Sequence, residues 1–439
     1  MFFQLLPLLS ILIFRFFGLF IVLPVISLLL ASLPDASSLT IGLVIGAPYL
    51  FQVLFQPLFG RLSDRYGRKP LLILGLFIFL LGSLLCMIDS SIYFLIVGRC
   101  LQGVGAVGGI LIALVADCVP EEKRTGAMAL MGMGIFVSFV LALLLGPVVG
   151  GHYGLSALFG VTVIASLASL IISFVFVKSS AKLNYAYGDS PTKNEKGLKL
   201  SLVIVSASNF LEKFLMILTF ALAPIILTQH MERSSLWIVY APALVLALLS
   251  LAPASILSEK RGKSLVVLVV SIGLFFLCYG LLAISLDSVL LLGVALACFF
   301  AAFSIQEAIL QSLVSKYAKA KTRGAVIGDF SAAGFAGSFV GALVGGLFHD
   351  YSLIESYRIE LFGGLALCSI AWALSIKFLA NPHRAKTIYV DKKSLDSKNL
   401  KSKLSQEGVL DWYENVNEGV LVVKYDKEIL NEGFLDSKN

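Results

Sequence analysis

Charged side chains are scarce along this chain: Asp, Glu, Lys and Arg make up 14% of its 439 residues. A soluble domain carries roughly 25%, so there are too few here to clothe a surface in water. Histidine occurs four times in scattered places, and none of the six cysteines stands in a Cys-x-x-Cys pair. These absences argue against a disulfide framework or a zinc site, and neither a metal nor another cofactor is expected. No nucleophile–base constellation is legible, so nothing points to an enzyme. The opening MFFQLLPLLS lacks the basic stretch of a cleavable signal peptide, which makes its apolar run a permanent segment.

Apolar residues dominate instead. They account for 58% of the chain, with 32 Phe and 38 Gly, and the mean hydropathy is +0.93. Aromatic and small residues at that density suit helices packed in lipid, where glycine lets backbones approach. The net charge of +7 does not read as a nucleic-acid footprint, because the basic residues sit in short loops between apolar runs. The expected partner is a bilayer. A crossing helix needs ~20 apolar residues, and such runs lie near 8–31, 40–61, 70–88, 91–118, 125–150 and 156–177. They resume near 200–228, 235–257, 264–284, 288–314, 325–348 and 357–379. The expected fold is an all-α membrane protein whose twelve transmembrane helices form two six-helix bundles, residues 1–177 and 200–380, joined by a linker at 178–199.

Loop charge gives a sidedness. The loops after helices 2, 4, 6, 8 and 10 hold 18 Lys and Arg, whereas those of the other side hold only Arg233 and Arg358. The positive-inside rule places the basic face and both termini in the cytoplasm, and a bacterial inner membrane is the expected location. The chain also repeats itself. LSDRYGRK at 62–69 aligns with LSEKRGKS at 257–264, and GPVVGG at 146–151 with GALVGG at 341–346, both at an offset of 195. Two matches at one offset point to duplicated halves, a hallmark of secondary transporters with a site near the midplane.

GRLSDRYGRKP at 60–70 resembles motif A of the major facilitator superfamily, and RCLQGVGA at 99–106 resembles its motif B. GPVVGG resembles motif C of the drug:proton antiporter branch. With FGLFIVLPVI at 17–26, the twelve-helix order and a C-terminal extension, the chain is similar to YajR-type members of that superfamily over nearly its full length. The resemblance implies rocker-switch alternating access by a functional monomer. It assigns a gating latch to Gly60, Asp64, Arg65, Gly67 and Arg68, with Arg68 pairing to Asp117 and Arg124 as a third member. Physically, Gly60 clears space for helix 11 beside helix 2, and Asp64 suits the positive N-terminus of helix 11. That attraction is ~0.3–1 kcal/mol at a surface and up to ~2 when partly buried. The alternative is that these basic residues only signal topology. Gly146, Pro147, Gly150 and Gly151 bend or break helix 5, since Pro lacks a backbone donor, while Gly334, Gly337, Gly341 and Gly345 form a ridge on helix 11. Tight packing explains both sets, and the resemblance adds an interface that moves during transport. Asp329 reads as a cap at the start of helix 11.

Five ionisable residues fall deep inside spans: Arg15, Arg99, Glu212, Lys213 and Glu307. Each costs ~2.5–3.5 kcal/mol facing the bilayer centre, so they are expected to face the interior. Helical spacing agrees. Ser206, Asn209 and Lys213 share one face of helix 7, Ser304, Glu307 and Gln311 one of helix 10, Tyr49, Gln52 and Gln56 one of helix 2, and Arg99 with Gln102 one of helix 4. These stripes predict a central wet chamber for a small substrate. A proton carrier is a carboxylate that is dry in one state and wet in another. Glu307 leads, because its own helix offers no adjacent cation; Glu212 follows, with Lys213 as a static clamp. The alternative is structural pairing, for example of Arg15 with a carboxylate of helix 7 or 10. Arg99 resembles the motif B arginine that influences proton handling. Helix 1 carries Arg15 and no acidic residue, unlike several drug antiporters.

From about residue 384 the composition turns soluble. TIYVD reads as a strand, SKNLKSKLSQEG as a helix with Leu400 and Leu404 on one side, and VLDWY and VLVVKYD as a hairpin. The order β-α-β-β is the first part of a ferredoxin-like unit, residues 384–439. The functional expectation is proton-coupled efflux of small drug-like or metabolite molecules. Uptake or facilitated movement of a metabolite or sugar is one alternative. A membrane receptor signalling through the C-terminal segment is another.

Overall fold

The computed structural model describes residues 2–88, 91–178, 185–187, 195–380, 385–391, 400, 403–427, 429–431 and 434. Ten of its helices are long and apolar enough to cross a bilayer. One of them, Glu121–Val175, runs 55 residues and turns at Gly154, whose φ of 77° suits glycine, so it crosses twice as helices 5 and 6. Helix 1 is the shorter apolar piece Leu5–Phe20, extended past a turn by Ile26–Ala31. Counted this way, the described residues make the twelve expected crossings.

The remaining crossings are helix 2, Ser38–Tyr66; helix 3, Arg68–Ile88; helix 4, Ile92–Cys118; and helix 7, Gly197–Leu227. Helix 8 spans Arg233–Ser258, helix 9 Ser264–Ile284, helix 10 Val289–Tyr317, helix 11 Arg323–Leu347 and helix 12 Ile359–Phe378. Helix 4 is interrupted between Val104 and Gly108, where the glycines of motif B let it press on its neighbours. A Cβ at Gly105 would lie 2.6 Å from the Gly75 carbonyl oxygen of helix 3.

The duplicated glycines do equivalent jobs in the two halves. Gly146 of helix 5 backs onto the Ile21 carbonyl at the end of helix 1, and Gly341, its counterpart at offset 195, backs onto the Phe214 carbonyl of helix 7. Gly334, Gly337 and Gly345 continue that contact along helix 7 against Asn209, Phe210 and Ala221. Gly150 meets Val25, and Gly151 meets Ser234 at the start of helix 8. The ridges of helices 5 and 11 therefore serve two symmetry-related contacts, 5 on 1 and 11 on 7, rather than one contact with each other. The reason is the pseudo-twofold relation between halves, which gives each helix 5-type element its own helix 1-type partner.

Between the halves, helix 2 meets helix 11 on the face opposite the basic loops. There Gly42 and Gly46 lie against Ala342, Leu343 and Phe339, and Gly346 against Ser38. On the basic face the same helices part: a Cβ at Gly60, Gly324 or Gly328 would meet nothing within 4 Å. The chamber is thus sealed on one side and open towards the other.

Four antiparallel strands form a sheet at the C-terminus. They are β1 (Tyr185–Tyr187), β2 (Ala385–Asp391), β3 (Val409–Asn415) and β4 (Val420–Asp426), in the order β1-β3-β4-β2. The last three are the strands expected from composition. The first belongs to the segment between the halves and pairs Tyr187 with Tyr413 through Tyr185 with Asn415. Leu404, Val409, Leu421 and Val423 make the small core, with Leu400 packed against it. Residues 179–184 and 188–194 of the linker, and 397–399, 401 and 402 of the expected C-terminal helix, lie outside the described residues.

Candidate functional site

Helices 7 and 10 bring three charges together. Lys213 bridges two carboxylates, making an ion pair with Glu307 and lying 3.6 Å from Glu212 Oε1. Its Nζ also sits 4.7 Å from the centre of the Phe303 ring. Glu212 is fully buried, with neither oxygen hydrogen-bonded among the described residues. Glu307 is 37% accessible at its side chain and Lys213 18%, so the triad runs from dry interior to open chamber. Glu307 thus has a cation after all, supplied across 94 residues of sequence. Asn209, one turn earlier, donates to the Phe330 carbonyl of helix 11 at 2.7 Å and pins that neighbour.

The N-terminal half handles its charges differently. Pro48 has no N–H to offer the Val44 carbonyl of helix 2, and Arg99 Nε donates to that oxygen instead at 3.1 Å. Arg99 also donates to Gln102 Oε1 at 2.7 Å, and Gln102 donates on to Ser83 Oγ at 2.9 Å. The remaining guanidinium nitrogen of Arg99 has no partner among the described residues. Arg15 is 1% exposed and makes no carboxylate pair there; its guanidinium lies 4.9 Å from the Phe16 ring centre and 5.4 Å from that of Phe79. Such ring contacts contribute ~0.5–2 kcal/mol each, while burial of an unpaired ion costs more than that. Tyr49 lies in the electrostatic field of Arg15, Arg99 and Lys213, joining the two halves of the site. Its hydroxyl and Gln52 Nε2 are buried and also without a partner among the described residues. Gln56 is half-buried and Gln311 exposed, both further towards the open side.

Around motif A, Arg68 forks between Asp64 and Asp117, each at 2.8 Å, and also donates to Ser63 Oγ at 3.1 Å. Gly67, at φ 100°, ends helix 2 and turns the chain so that Arg68 can do this. Asp64 is 65% exposed and points to Arg68 rather than to helix 11, so the latch across the halves is not made in this conformation. Arg65 is exposed against Tyr66. Asp329 sits on the second turn of helix 11, exposed, too deep to act on the terminus.

Arg124 has another role. It pairs with Glu121 at 2.5 Å, and Glu121 is the anchor of the C-terminal sheet. Tyr413 donates to Glu121 Oε1 at 2.7 Å and Asn415 to Oε2 at 3.3 Å, while the Glu121 N–H donates to the Glu418 carboxylate at 3.0 Å. That last contact uses the positive N-terminus of helix 5. On the other half, Lys424 donates to the carbonyl oxygen of Lys316 at the end of helix 10. Burial, helped by Arg323, pushes the Lys424 amine down to about 8, whereas Asp411 works against that shift. Burial and the Glu121 carboxylate push the Tyr413 phenol up. The sheet therefore bridges both halves across the open basic face.

Several of these participants escape a reading by periodicity. Gln306 is fully buried on helix 10 with both amide atoms unpartnered among the described residues, yet it lies off the Ser304–Glu307–Gln311 stripe. Glu121 begins helix 5, and its acidic pair with Glu122 resembles an ordinary helix start. Only its place beside the basic Lys123 and Arg124 could have drawn notice.

Comparison with known proteins agrees with this architecture. The sequence model of the Major Facilitator Superfamily matches residues 8–342 and 202–421. The inner membrane transport protein YajR of Escherichia coli K12 is 31% identical over 428 residues, covering 95% of this chain and 92% of that protein. The class H tetracycline resistance protein of Pasteurella multocida is 29% identical over 184 residues, 40% of this chain and 45% of that one. The crystal structure of a D-xylose–proton symporter superposes with a TM-score of 0.68 at 16% identity, covering 87% of this chain and 98% of its own, a likeness of fold alone. The chain is a multi-pass membrane transporter and belongs to the major facilitator superfamily.

Proposed function

We propose that this chain is a proton-coupled exporter of small molecules, working by rocking of its two halves, with the basic face and both termini in the cytoplasm of a bacterial inner membrane. The observation that carries the reading is the Glu212–Lys213–Glu307 triad at the boundary between sealed interior and open chamber. With all three groups ionised it holds one net negative charge, and a single proton removes it. Lys213 already holds Glu307, so Glu212, dry and without a hydrogen bond, is the proton carrier. One proton falling through ~100 mV releases ~2.3 kcal/mol, enough for a roughly 50-fold gradient of a neutral solute. The local similarity to tetracycline resistance proteins supports export, as does the glycine–proline pattern of helix 5. The conformation open to the basic face is the one that would load cargo from the cytoplasm.

Everted membrane vesicles test this. Energised vesicles should accumulate at least one member of a panel of anionic, neutral and cationic dyes, and an uncoupler or Glu212→Gln should abolish that accumulation. Accumulation that ignores both the uncoupler and Glu212→Gln would sink the coupling assignment.

A further inference from the structure

On the N-terminal wall of the chamber the buried polar atoms left without partners among the described residues are donors, whereas on the C-terminal wall Glu212, Asn209 and Gln306 leave acceptor oxygens. Arg15 offers two nitrogens without partners among the described residues, Arg99 one, Gln52 its amide nitrogen, and Tyr49 its hydroxyl. Buried donors are almost always satisfied in folded proteins, and a cluster of exceptions marks something missing. Arg15 and Arg99 are also cations with no carboxylate in salt-bridge range among the described residues, and Lys213 of the other half is near enough for its charge to act on Tyr49. Three cations against Glu212 and Glu307 leave a surplus of one positive charge. We propose that this cluster is a binding site for an organic monoanion, a carboxylate or sulfonate with an apolar body. Its charged end lies among Arg15, Arg99, Tyr49 and Gln52, and its body lies against the Phe16, Phe79 and Phe303 rings that already flank the cations.

The chemistry selects this class over others. Guanidinium groups match the two oxygens of a carboxylate or sulfonate with paired donors. Around Arg15 and Arg99 a neutral sugar finds donors without a free acceptor among the described residues, and a cationic compound meets the wrong sign. The competing account makes Arg15 a packing element held by its aromatic neighbours. That account predicts that an apolar replacement loosens the fold, whereas an ion buried in wait for a counter-ion predicts the reverse.

The inference rests on reading the chamber as the substrate site, and its test measures binding alone, so a failure of proton coupling in vesicles leaves it standing or falling separately. Full-length protein in detergent is titrated by calorimetry with 1-naphthoate, its neutral amide and 1-naphthylmethylammonium. The acid should bind at least tenfold tighter than the amide, with the ammonium weakest. Arg15→Met and Arg99→Gln should each erase most of that preference, and Lys377→Gln, a remote surface cation, should leave it intact. Without ligand, Arg15→Met should melt no lower than the native protein. Equal binding of acid and amide, tighter binding of the ammonium, or full preference retained in Arg15→Met overturns the proposal. A lowered melting point of ligand-free Arg15→Met restores the packing account.

Discussion

In the C-terminal half Lys213 stands between two carboxylates, while in the N-terminal half Arg15 and Arg99 lie buried with only carbonyl, amide and ring contacts. The scaffolds around them are alike, down to glycines related by a constant offset that press on equivalent helices. Duplication thus supplied a common frame, and the chemistry was divided between its copies. One half pairs its cation with carboxylates; the other holds two cations with no carboxylate in salt-bridge range among the described residues. On the proposed reading the driving-ion site and the cargo site stand on opposite walls, so that both walls would sense both ligands.

That contrast can be broken or sharpened by experiment. The largest effect is expected for Glu212→Gln, which should cut proton-driven transport by ~100-fold or more, a difference of ~2.7 kcal/mol in the driven step, while the protein still folds; vesicle uptake kinetics read it. Lys213→Met leaves two carboxylates facing each other without their cation, and the melting transition in detergent should fall by the equivalent of ~3–5 kcal/mol. If Arg15→Met fell as far, the halves would not differ in the way described. The matched pair Gly146→Ala and Gly341→Ala should each cost ~1–3 kcal/mol, because a Cβ collides with the carbonyl of Ile21 or Phe214. Unequal losses would show that the scaffold is less symmetric than its sequence offset. The smallest effect concerns the sheet. Tyr413→Phe removes one hydrogen bond to Glu121 and should loosen docking by ~0.5–1.5 kcal/mol, visible as faster hydrogen exchange in β3.

Docking should also depend on pH. Lys424 holds its proton less tightly when docked, at about 8, than a free lysine does at ~10.4. Protons therefore favour release. Below about 8 the amine is charged in both states and docking is weakest; it tightens as pH rises from there towards the free value. Arg323 and Lys316 oppose the charge and Asp411 supports it, so Asp411→Asn should push the onset lower. Hydrogen exchange of β4 across pH 7–10, corrected for intrinsic rate, measures both.

The helices were legible because bilayer thickness imposes a length and loop charge imposes a side, two constraints that leave a strong mark on composition. The deep ionisable residues stood out for the same reason: Arg15, Arg99, Glu212, Lys213 and Glu307 do line the interior. Their partnerships did not stand out. Helical spacing locates a residue on a face, but the bridge from Lys213 to Glu307 joins different helices, and no periodicity within one helix reports it. Arg68 with Asp117 came from a motif, and the structure makes that pair. The break of helix 4 depends on which glycines the tertiary packing uses, whereas the turn at Gly154 falls in the gap expected between 150 and 156. Strand Tyr185–Tyr187 was invisible, since three residues acquire strand character only from the sheet edge they join.

That short strand has a mechanical consequence. Residues 185–187 of the connection between the halves pair with β3, and the same sheet is fastened to helix 5 through Glu121 and to helix 10 through Lys424. Two moving walls are thus laced to one stiff plate at three points. On the proposed rocking, any swing that altered the distance between Glu121 and Lys316 would have to unfasten one of them first, so the plate would act as a catch on the stroke.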